Sequence, residues 1–591
     1  MICLFLKFPK FQALKLSTEG TLMKMMTGAK MVIEALHLEG VKVVFGYPGG
    51  AVLHIYDEIY KQNYFSHILA RHEQGAIHAA DGYARASGDV GVAIITSGPG
   101  FTNAVTGIAT AYTDSIPLVV ISGQVPITQI GTDAFQEIDA VGISRPCTKH
   151  NFLVRNLAEL PRILKEAFYI ARSGRPGPVL VDIPKDITGT QGEFSYPDSI
   201  ALQSYKPTLK GNPRQIKKLC EAINKASKPL FYIGGGAILS NAGEVIRDLV
   251  HCTGIPCTET LLGRGVLRYD DDNLLGMLGM HGSYAANMAV SECDLLVCLG
   301  ARFDDRVTGK LSAFATQAKI AHIDVDPSSI GKVVGVDYPI VGDLKSVVSD
   351  MLSELSGYES VKILEWKEHL REYARCYPLS FEDSLDCIKP QWVIQRLGEI
   401  LGESAIITTD VGQHQMWAAQ FYPFSFPRQF LSSGGLGTMG YGLPAAMGAK
   451  LACEDKTLIN ITGDGSILMN IQELMTCVAY GIPLVSVILN NNYLGMVRQW
   501  QSFFYEHRFS HTDLTLQPDF IKLIESFGGV GFRVEKKSEF DLALQKALDS
   551  KKVAFIEVIV DRYEDVLPMV PSGGAIYEMI LPKTQQQQKQ D

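Results

Sequence analysis

From about Thr27 onward the chain alternates between two hydrophobic periods. Helix-length segments carry apolar residues every three or four positions, and short apolar runs between them end in glycine or an acid. GAKMVIEALHLEG is of the first kind and VKVVFGYPGG of the second, and the alternation returns in HEQGAIHAADGYARASG, GVAIITSGPG and IPLVVISGQ. Helices that regularly follow buried strands predict doubly wound α/β units with parallel sheets. A second set of strands, FYIGGGAI, DLLVCLGARFDDRVTG and KIAHIDVDPSSIG, follows a polar stretch from Thr188 to about Asn212. A third set, SAIITTD, KTLINIT and the run from Ile482 to Leu489, follows a charged stretch from about Gly357 to Asp386. The pattern thus predicts three doubly wound α/β units, at residues 27–190, 213–350 and 388–560. Residues 1–26 read as an N-terminal extension, and 561–591 as a closing segment with a polar tail, KTQQQQKQD, expected to be disordered.

The first and third units look like copies of one another. TSGPG at Thr96 to Gly100 and IPLVVIS from Ile116 correspond, at equal separation, to TGDGS at Thr462 to Ser466 and IPLVSVI from Ile482. Gly75 and Gly440 precede the two turns by the same interval.

At 591 residues the chain exceeds a single core. Its 46% hydrophobic and 20% charged content is that of a soluble enzyme, and a net charge of -9 argues against a nucleic-acid binder. No apolar run reaches the length of a membrane span. Eleven cysteines without a C-x-x-C pair fit reduced thiols in a cytosol-like compartment. The N-terminal MICLFLKFPKFQALKLSTEG has no Arg and no small-residue cleavage pattern, so an untargeted tail is expected. Cytoplasm and plastid stroma both stay open as locations.

Candidate chemistry concentrates in GDGSILMNIQELMTCVAYGIPLVSVILNNNY, from Gly463 to Tyr493. An apolar strand breaks at Gly463, Asp464, Gly465 and Ser466; a helix-length segment runs to Tyr480, and a second strand delivers Asn490 and Asn491. Ligands of parallel sheets collect beyond the carboxyl ends of the strands, where an acid and an amide here converge. Hard oxygen donors and a glycine turn before a helix suit a divalent cation with a diphosphate. Gly-Asp-Gly by itself is first a turn sequence, and a nucleotide-fold turn with capping Asn residues is the plainer alternative. No Lys-Ser/Thr follows the glycines, which excludes a Walker loop.

GDG followed about two dozen residues later by paired Asn resembles the signature of the thiamin diphosphate (ThDP) enzymes, and the likeness runs over residues 27–582. The resemblance implies Mg2+ held by Asp464, Asn491 and the carbonyl of Tyr493. It implies ThDP held by Gly463, Gly465, Ser466, Gln413 and His414 at the diphosphate and by Gly437 and Met439 at the pyrimidine. Glu73 would be the catalytic acid on the aminopyrimidine; taken alone, it is an acid in a first helical turn that offsets the helix dipole. GTDAFQE, inside the polar loop Gly123 to His150, matches the acetohydroxyacid synthase (acetolactate synthase) subfamily, which places Gln136 beside the reacting carbons. Without that likeness Gln136 is a surface-loop residue.

The subfamily likeness also implies FAD along Arg175, His281, Arg302, Asp324 and Asp343, structural because the reaction has no net redox change. GGG at Gly234 is no GxGxxG and is weak on its own. Arg306 would bind the carboxylate of a second 2-oxo acid, and Trp500 would shape the acceptor pocket; the alternatives are a surface ion pair and a buried indole. Met439 could equally fill a core, and MVPSGGAIYEMI is compatible with a lid. His54 stands where the family commonly has Pro. The implied activity is that of an acetolactate synthase, decarboxylation of pyruvate and condensation with pyruvate or 2-oxobutanoate to give 2-acetolactate or 2-aceto-2-hydroxybutanoate, the first common step of branched-chain amino acid biosynthesis. Implied partners are 2-oxo acids, a second copy in a homodimer whose active site lies at the subunit interface, or a tetramer, and a small regulatory subunit. A ThDP pyruvate oxidase or decarboxylase is a rival that GTDAFQE, Arg306 and Trp500 disfavour, and a non-catalytic nucleotide-binding subunit is another.

Overall fold

The computed structural model describes residues 24–582; most of the expected N-terminal extension and the polar tail from Lys583 lie outside that range. The described residues form three six-stranded parallel sheets, each flanked by helices, and one antiparallel pair, Lys24–Thr27 with Gln191–Phe194.

The first sheet runs in the spatial order Ser66–Leu69, Val43–Gly46, Gly91–Ile95, Leu118–Gln124, Pro178–Pro184, His150–Leu153. Numbered along the chain, that is 2-1-3-4-6-5. The third sheet, Phe430–Ser432, Ala405–Thr409, Thr457–Gly463, Val485–Asn490, Ala554–Ile559, Val530–Val534, has the same order. Shared connectivity is what an internal duplication requires, and it agrees with the paired TSGPG and TGDGS turns. His150–Leu153 is a strand that the sequence pattern did not predict, beginning where the expected loop Gly123 to His150 ends; it is at most half-buried at the sheet edge, so the apolar signal is weak.

The middle sheet differs. Its order, Leu274–Met277, Cys257–Glu259, Pro229–Ile233, Leu295–Leu299, Lys319–Asp324, Tyr338–Val341, is 3-2-1-4-5-6, the dinucleotide-binding arrangement. The order reverses between Pro229–Ile233 and Leu295–Leu299, and there Gly234 lies so close to Gly300 that a Cβ would overlap its carbonyl oxygen. GGG therefore marks the switch point although it lacks the familiar spacing.

The two copies meet through helices Glu73–Ser87 and Gly442–Ala452. Gly82 and Gly448 sit at the crossing, where a Cβ on either would run into the backbone of Ala445 or Ala79. One hydrophobic core, with Ala76, Ala79 and Ala80 on one side and Leu443, Ala446 and Met447 on the other, spans the seam. Arg85 crosses it as well, its Nη1 donating to the Ser432 carbonyl at 2.9 Å while its Nε and Nη2 pair Asp81 and Asp114, and Tyr441 Oη donates across the seam to Asp81 at 2.6 Å. No helix among the described residues is long and apolar enough to cross a membrane.

Candidate active site

Strand ends of the third sheet supply the first half of the site. Thr457–Gly463 ends at the GDG turn and Val485–Asn490 delivers Asn491, neighbours in a parallel ladder. The helix-length segment expected from Gly463 to Tyr480 is broken into a short helix Asp464–Ile467, a tight turn Leu468–Asn470 and a helix Glu473–Tyr480. Asn470 accounts for the break, because its side chain donates to the carbonyl of Gly440 at 2.8 Å and ties the turn to the glycine-rich segment. A small cavity of about 90 Å³ lies here, lined by Gln413, His414, Met439, Gly463, Asp464, Gly465, Ser466, Asn491 and Tyr493. Nine residues singled out in the sequence thus share one wall.

Their electrostatics suit an anion and a cation. Burial pushes the Asp464 carboxyl up to about 6. The Gln517 side chain donates to Asp464 Oδ2, a neutral donor where a divalent ion would sit. Asn491 Oδ1 accepts from the Tyr493 N–H at 3.0 Å. No group of three His, Cys, Asp or Glu among the described residues could hold a metal, so any ion here would take one carboxylate with amide and carbonyl oxygens, a hard set. His414 is held neutral, its pKa lowered by burial to about 3, and its Nε2 is buried without a hydrogen-bond partner. These features fit Mg2+ and a diphosphate. Gln413 lines the small cavity and also has protein partners, accepting from Asn491 Nδ2 at 3.3 Å and donating to Gln499 Oε1 at 2.9 Å and to the Glu564 carbonyl at 3.0 Å.

A larger cavity of about 850 Å³ adjoins the first, sharing Val411, Gly412 and Met496 with it. Arg175, His281, Arg302, Asp324 and Asp343 all line it, with the switch-point glycines Gly235, Gly236 and Gly300. Arg175 reaches it from the first unit, its Nε donating to Ser115 Oγ at 2.8 Å and its Nη1 meeting Asp326 at 3.3 Å. Burial lowers His281 to about 4 and raises Asp324 to about 6. Asp343 also caps the helix Leu344–Glu354, accepting from the Ser346 N–H at 3.1 Å. The dinucleotide-type strand order and this glycine cradle fit FAD. Arg306, Trp500 and Gly437 line the same cavity, which separates Gly437 from Met439. Arg306 is 3.8 Å from Asp305, loosely paired, with its guanidinium at the cavity edge.

Glu73 and Gln136 line neither cavity. Both approach the Ser97 to Gly100 turn of the first unit instead, Gln136 at Gly98 and Glu73 at Gly100. Glu73 is buried, its Oε2 accepting from Asn103 Nδ2 at 3.0 Å, while its Oε1 faces Gly100. The backbone of Gln136, in a left-handed conformation at φ 61°, packs against Gly98. Sequence reasoning missed Asn103, Gln499 and Gln517; amide side chains carry no spacing signal, and only their partners give them a role. The segment MVPSGGAIYEMI is folded down: Met569 pairs with Ile580, Val570 donates its N–H to the Met280 carbonyl at 2.8 Å, and Lys310 donates its N–H to the Gly574 carbonyl at 2.9 Å. His54, the departure from the family pattern, bonds Thr188 Oγ1 through Nδ1 at 3.0 Å and leaves the helix Leu53–Lys61 intact.

Duplicated sheets around a dinucleotide-type unit, with the GDG turn and Asn491 on one wall, define a thiamin diphosphate-dependent α/β enzyme. Three family models agree with that class: the N-terminal TPP binding domain of thiamine pyrophosphate enzymes matches residues 26–143, the central domain 216–351 and the C-terminal TPP binding domain 410–558. The chain is 49% identical over 571 residues to the acetolactate synthase large subunit of Haemophilus influenzae, covering 96% of this chain and 100% of the relative. It is 48% identical over 573 residues to the acetolactate synthase isozyme 3 large subunit of Escherichia coli, covering 95% and 100%. A probable acetolactate synthase large subunit of Methanocaldococcus jannaschii is 48% identical over 568 residues, covering 94% and 95%. The chain belongs to the acetolactate synthase large-subunit family.

Proposed function

We propose that this chain decarboxylates pyruvate and joins the remaining two-carbon unit to a second 2-oxo acid, pyruvate or 2-oxobutanoate, opening branched-chain amino acid biosynthesis. The observation that carries the reading is the adjacency of the two cavities, which puts the Asp464–Asn491 wall beside Arg306 and Trp500. Asp464, Asn491 and the Tyr493 carbonyl would hold Mg2+, with His414, Gly463, Gly465 and Ser466 against the diphosphate. Bound ThDP supplies an electron sink for the two-carbon unit. Glu73 holds the proton that the aminopyrimidine exchanges, and its Asn103 hydrogen bond orients the carboxyl. Gln136, packed against the same Ser97 to Gly100 turn that Glu73 approaches, would lie next to the reacting carbons. Arg306 pairs the carboxylate of the acceptor, and the Trp500 face limits its side chain. The large cavity holds FAD as a structural element through Arg175, His281, Arg302, Asp324 and Asp343.

Because Glu73 and Gln136 lie outside the cavity that would take the cofactor, a second copy brings them to it, and the smallest active unit is a homodimer, with a tetramer built from two. The named relatives are large subunits, which supports a small regulatory subunit as a further partner. A cytoplasmic setting accords with the bacterial relatives. The domain limits 27–190, 213–350 and 388–560 follow the same reading. Incubation with pyruvate, ThDP, Mg2+ and FAD, without an electron acceptor, tests it. Acetolactate with the flavin still oxidised is expected; released acetaldehyde or reduced flavin would move the assignment to a decarboxylase or an oxidase.

A further inference from the structure

Between the two cavities runs a chain of three buried amides. Asn491 Nδ2 donates to Gln413 Oε1 at 3.3 Å, Gln413 Nε2 donates to Gln499 Oε1 at 2.9 Å, and Gln499 Nε2 donates to the Val566 carbonyl at 3.0 Å. Each amide is no more than 6% exposed. Their orientations are set by backbone groups that cannot reverse roles: the Tyr493 N–H donates to Asn491 Oδ1, the Glu564 carbonyl accepts from Gln413 Nε2, and the Val566 N–H donates to Gln499 Oε1 at 2.9 Å. All three therefore point the same way, and turning one over would leave two donors or two acceptors face to face.

The far end of this chain is the strap Glu564 to Val570. Gln499 grips Val566 by both its N–H and its carbonyl, and Arg498 Nη2 donates to the carbonyls of Tyr563 and Glu564 and to Asp565. Two residues on, the strap docks on the wall of the large cavity: the Pro568 carbonyl lies 3.3 Å from His281 Nδ1, and the Val570 N–H reaches the Met280 carbonyl. Met280 in turn donates its N–H to the Arg306 carbonyl at 2.7 Å.

We propose that Gln499 is a positioning residue: with the Glu564 carbonyl, its Oε1 holds the Gln413 amide whose Oε1 takes the Asn491 Nδ2 hydrogen bond, and so couples the cation site to the docking of the Glu564 to Val570 strap at Met280 and His281. The inference rests on the assignment of Asn491 as a metal ligand. With its Oδ1 turned to a cation, Asn491 keeps its buried Nδ2 satisfied by Gln413 Oε1, and Gln499 shares with the Glu564 carbonyl the hold on that Gln413 amide. Coupling of this kind is reciprocal, so an ion bound at Asn491 tightens the strap and a docked strap tightens the ion.

Mn2+ binding to the full chain with saturating ThDP, followed by electron paramagnetic resonance, and hydrogen exchange at Val566 to Val570 read the two ends independently of turnover. Wild-type exchange in the strap is expected to slow when Mn2+ is added. Gln499→Met, which lacks both amide functions, is expected to weaken Mn2+ binding about tenfold, the effect of one lost buried hydrogen bond in a chain, and to speed strap exchange. Gln499→Glu keeps an acceptor for Gln413 and the Val566 N–H but loses the donor to the Val566 carbonyl. It should speed strap exchange and weaken Mn2+ binding together, each by less than Gln499→Met does, a proportion between the two ends that a merely structural role would not give. Faster strap exchange with Mn2+ affinity unchanged in Gln499→Met overturns the coupling. Unchanged Mn2+ affinity in Asn491→Ala would instead overturn the metal assignment, and the coupling with it.

Discussion

Glu73 carries a signal at the level of one residue because it stands at the start of a helix, in HEQG, where an acid has a dipole role in any protein. Its burial and its bond to Asn103 go beyond that role, since an exposed first-turn acid needs neither. Glu73→Gln is expected to lower acetolactate formation by roughly 10²- to 10⁴-fold, with FAD retention by absorbance and Mn2+ affinity unchanged; loss of both along with activity would assign Glu73 a folding role. Asp464 and Asn491 were equally legible, because the strand ends that bring them together are themselves visible in the sequence. Gln499 was not, since nothing in MVRQWQ shows that a carbonyl 67 residues away will meet its amide.

Asp182 is a further residue that only the structure exposes. It is buried at a strand end, accepts from Gln124 Nε2 at 3.0 Å through Oδ2, and has no partner at Oδ1. Burial raises its pKa from 3.8 to about 7. Below 3.8 the folded and unfolded chains both carry the proton; between 3.8 and about 7 the folded chain keeps one that the unfolded chain has released, so stability from this group falls as pH rises across that window. Asp182→Asn is expected to flatten the decline in unfolding midpoint between pH 3.8 and about 7 relative to wild type. Parallel wild-type and variant curves would show that Asp182 stays ionised throughout.

At the level of elements, GYGLPAAMGAK and HEQGAIHAADGYARASG each announce a helix with a small-residue face, but neither says which helix it meets. The structure pairs them, and the pairing depends on glycine at two points. A Cβ at Gly448 would overlap the Ala79 carbonyl oxygen, which belongs to backbone and cannot rotate away. Gly448→Ala is expected to destabilise the fold by about 3 kcal/mol through overpacking, read as a lowered thermal midpoint with weakened ThDP retention. An unchanged or raised midpoint, the usual result of replacing glycine within a helix, would show that the crossing can open without cost. The dinucleotide-type order of the middle sheet was legible only in part. Its strands were clear, whereas their order depends on crossovers that hydrophobic period does not encode. The helix drawn through Gly463 to Tyr480 was too long for a similar reason, because Asn470 is bonded to a turn 30 residues upstream.

For the whole molecule, the duplication has a chemical consequence. One copy kept the GDG turn and Asn491, the other kept Glu73 and Gln136, and the chain packs the two copies back to back through their glycine helices without bringing those groups to one cavity. On the proposed reading a complete site takes the third unit of one chain and the first unit of another, so each dimer would hold two sites with every chain serving both. Complementation decides this. Glu73→Gln and Asp464→Ala should each be inactive as homodimers. When the two are co-expressed with different tags and the mixed dimer is isolated, one of its sites carries both defects and the other carries neither, so about half of the wild-type activity per dimer is expected. If each site were built within one chain, both sites of the mixed dimer would carry one defect and no activity would return. The assay reads the origin of the catalytic groups directly, because pairing gathers both lesions into one site, and frees the other, only where each site draws on two chains.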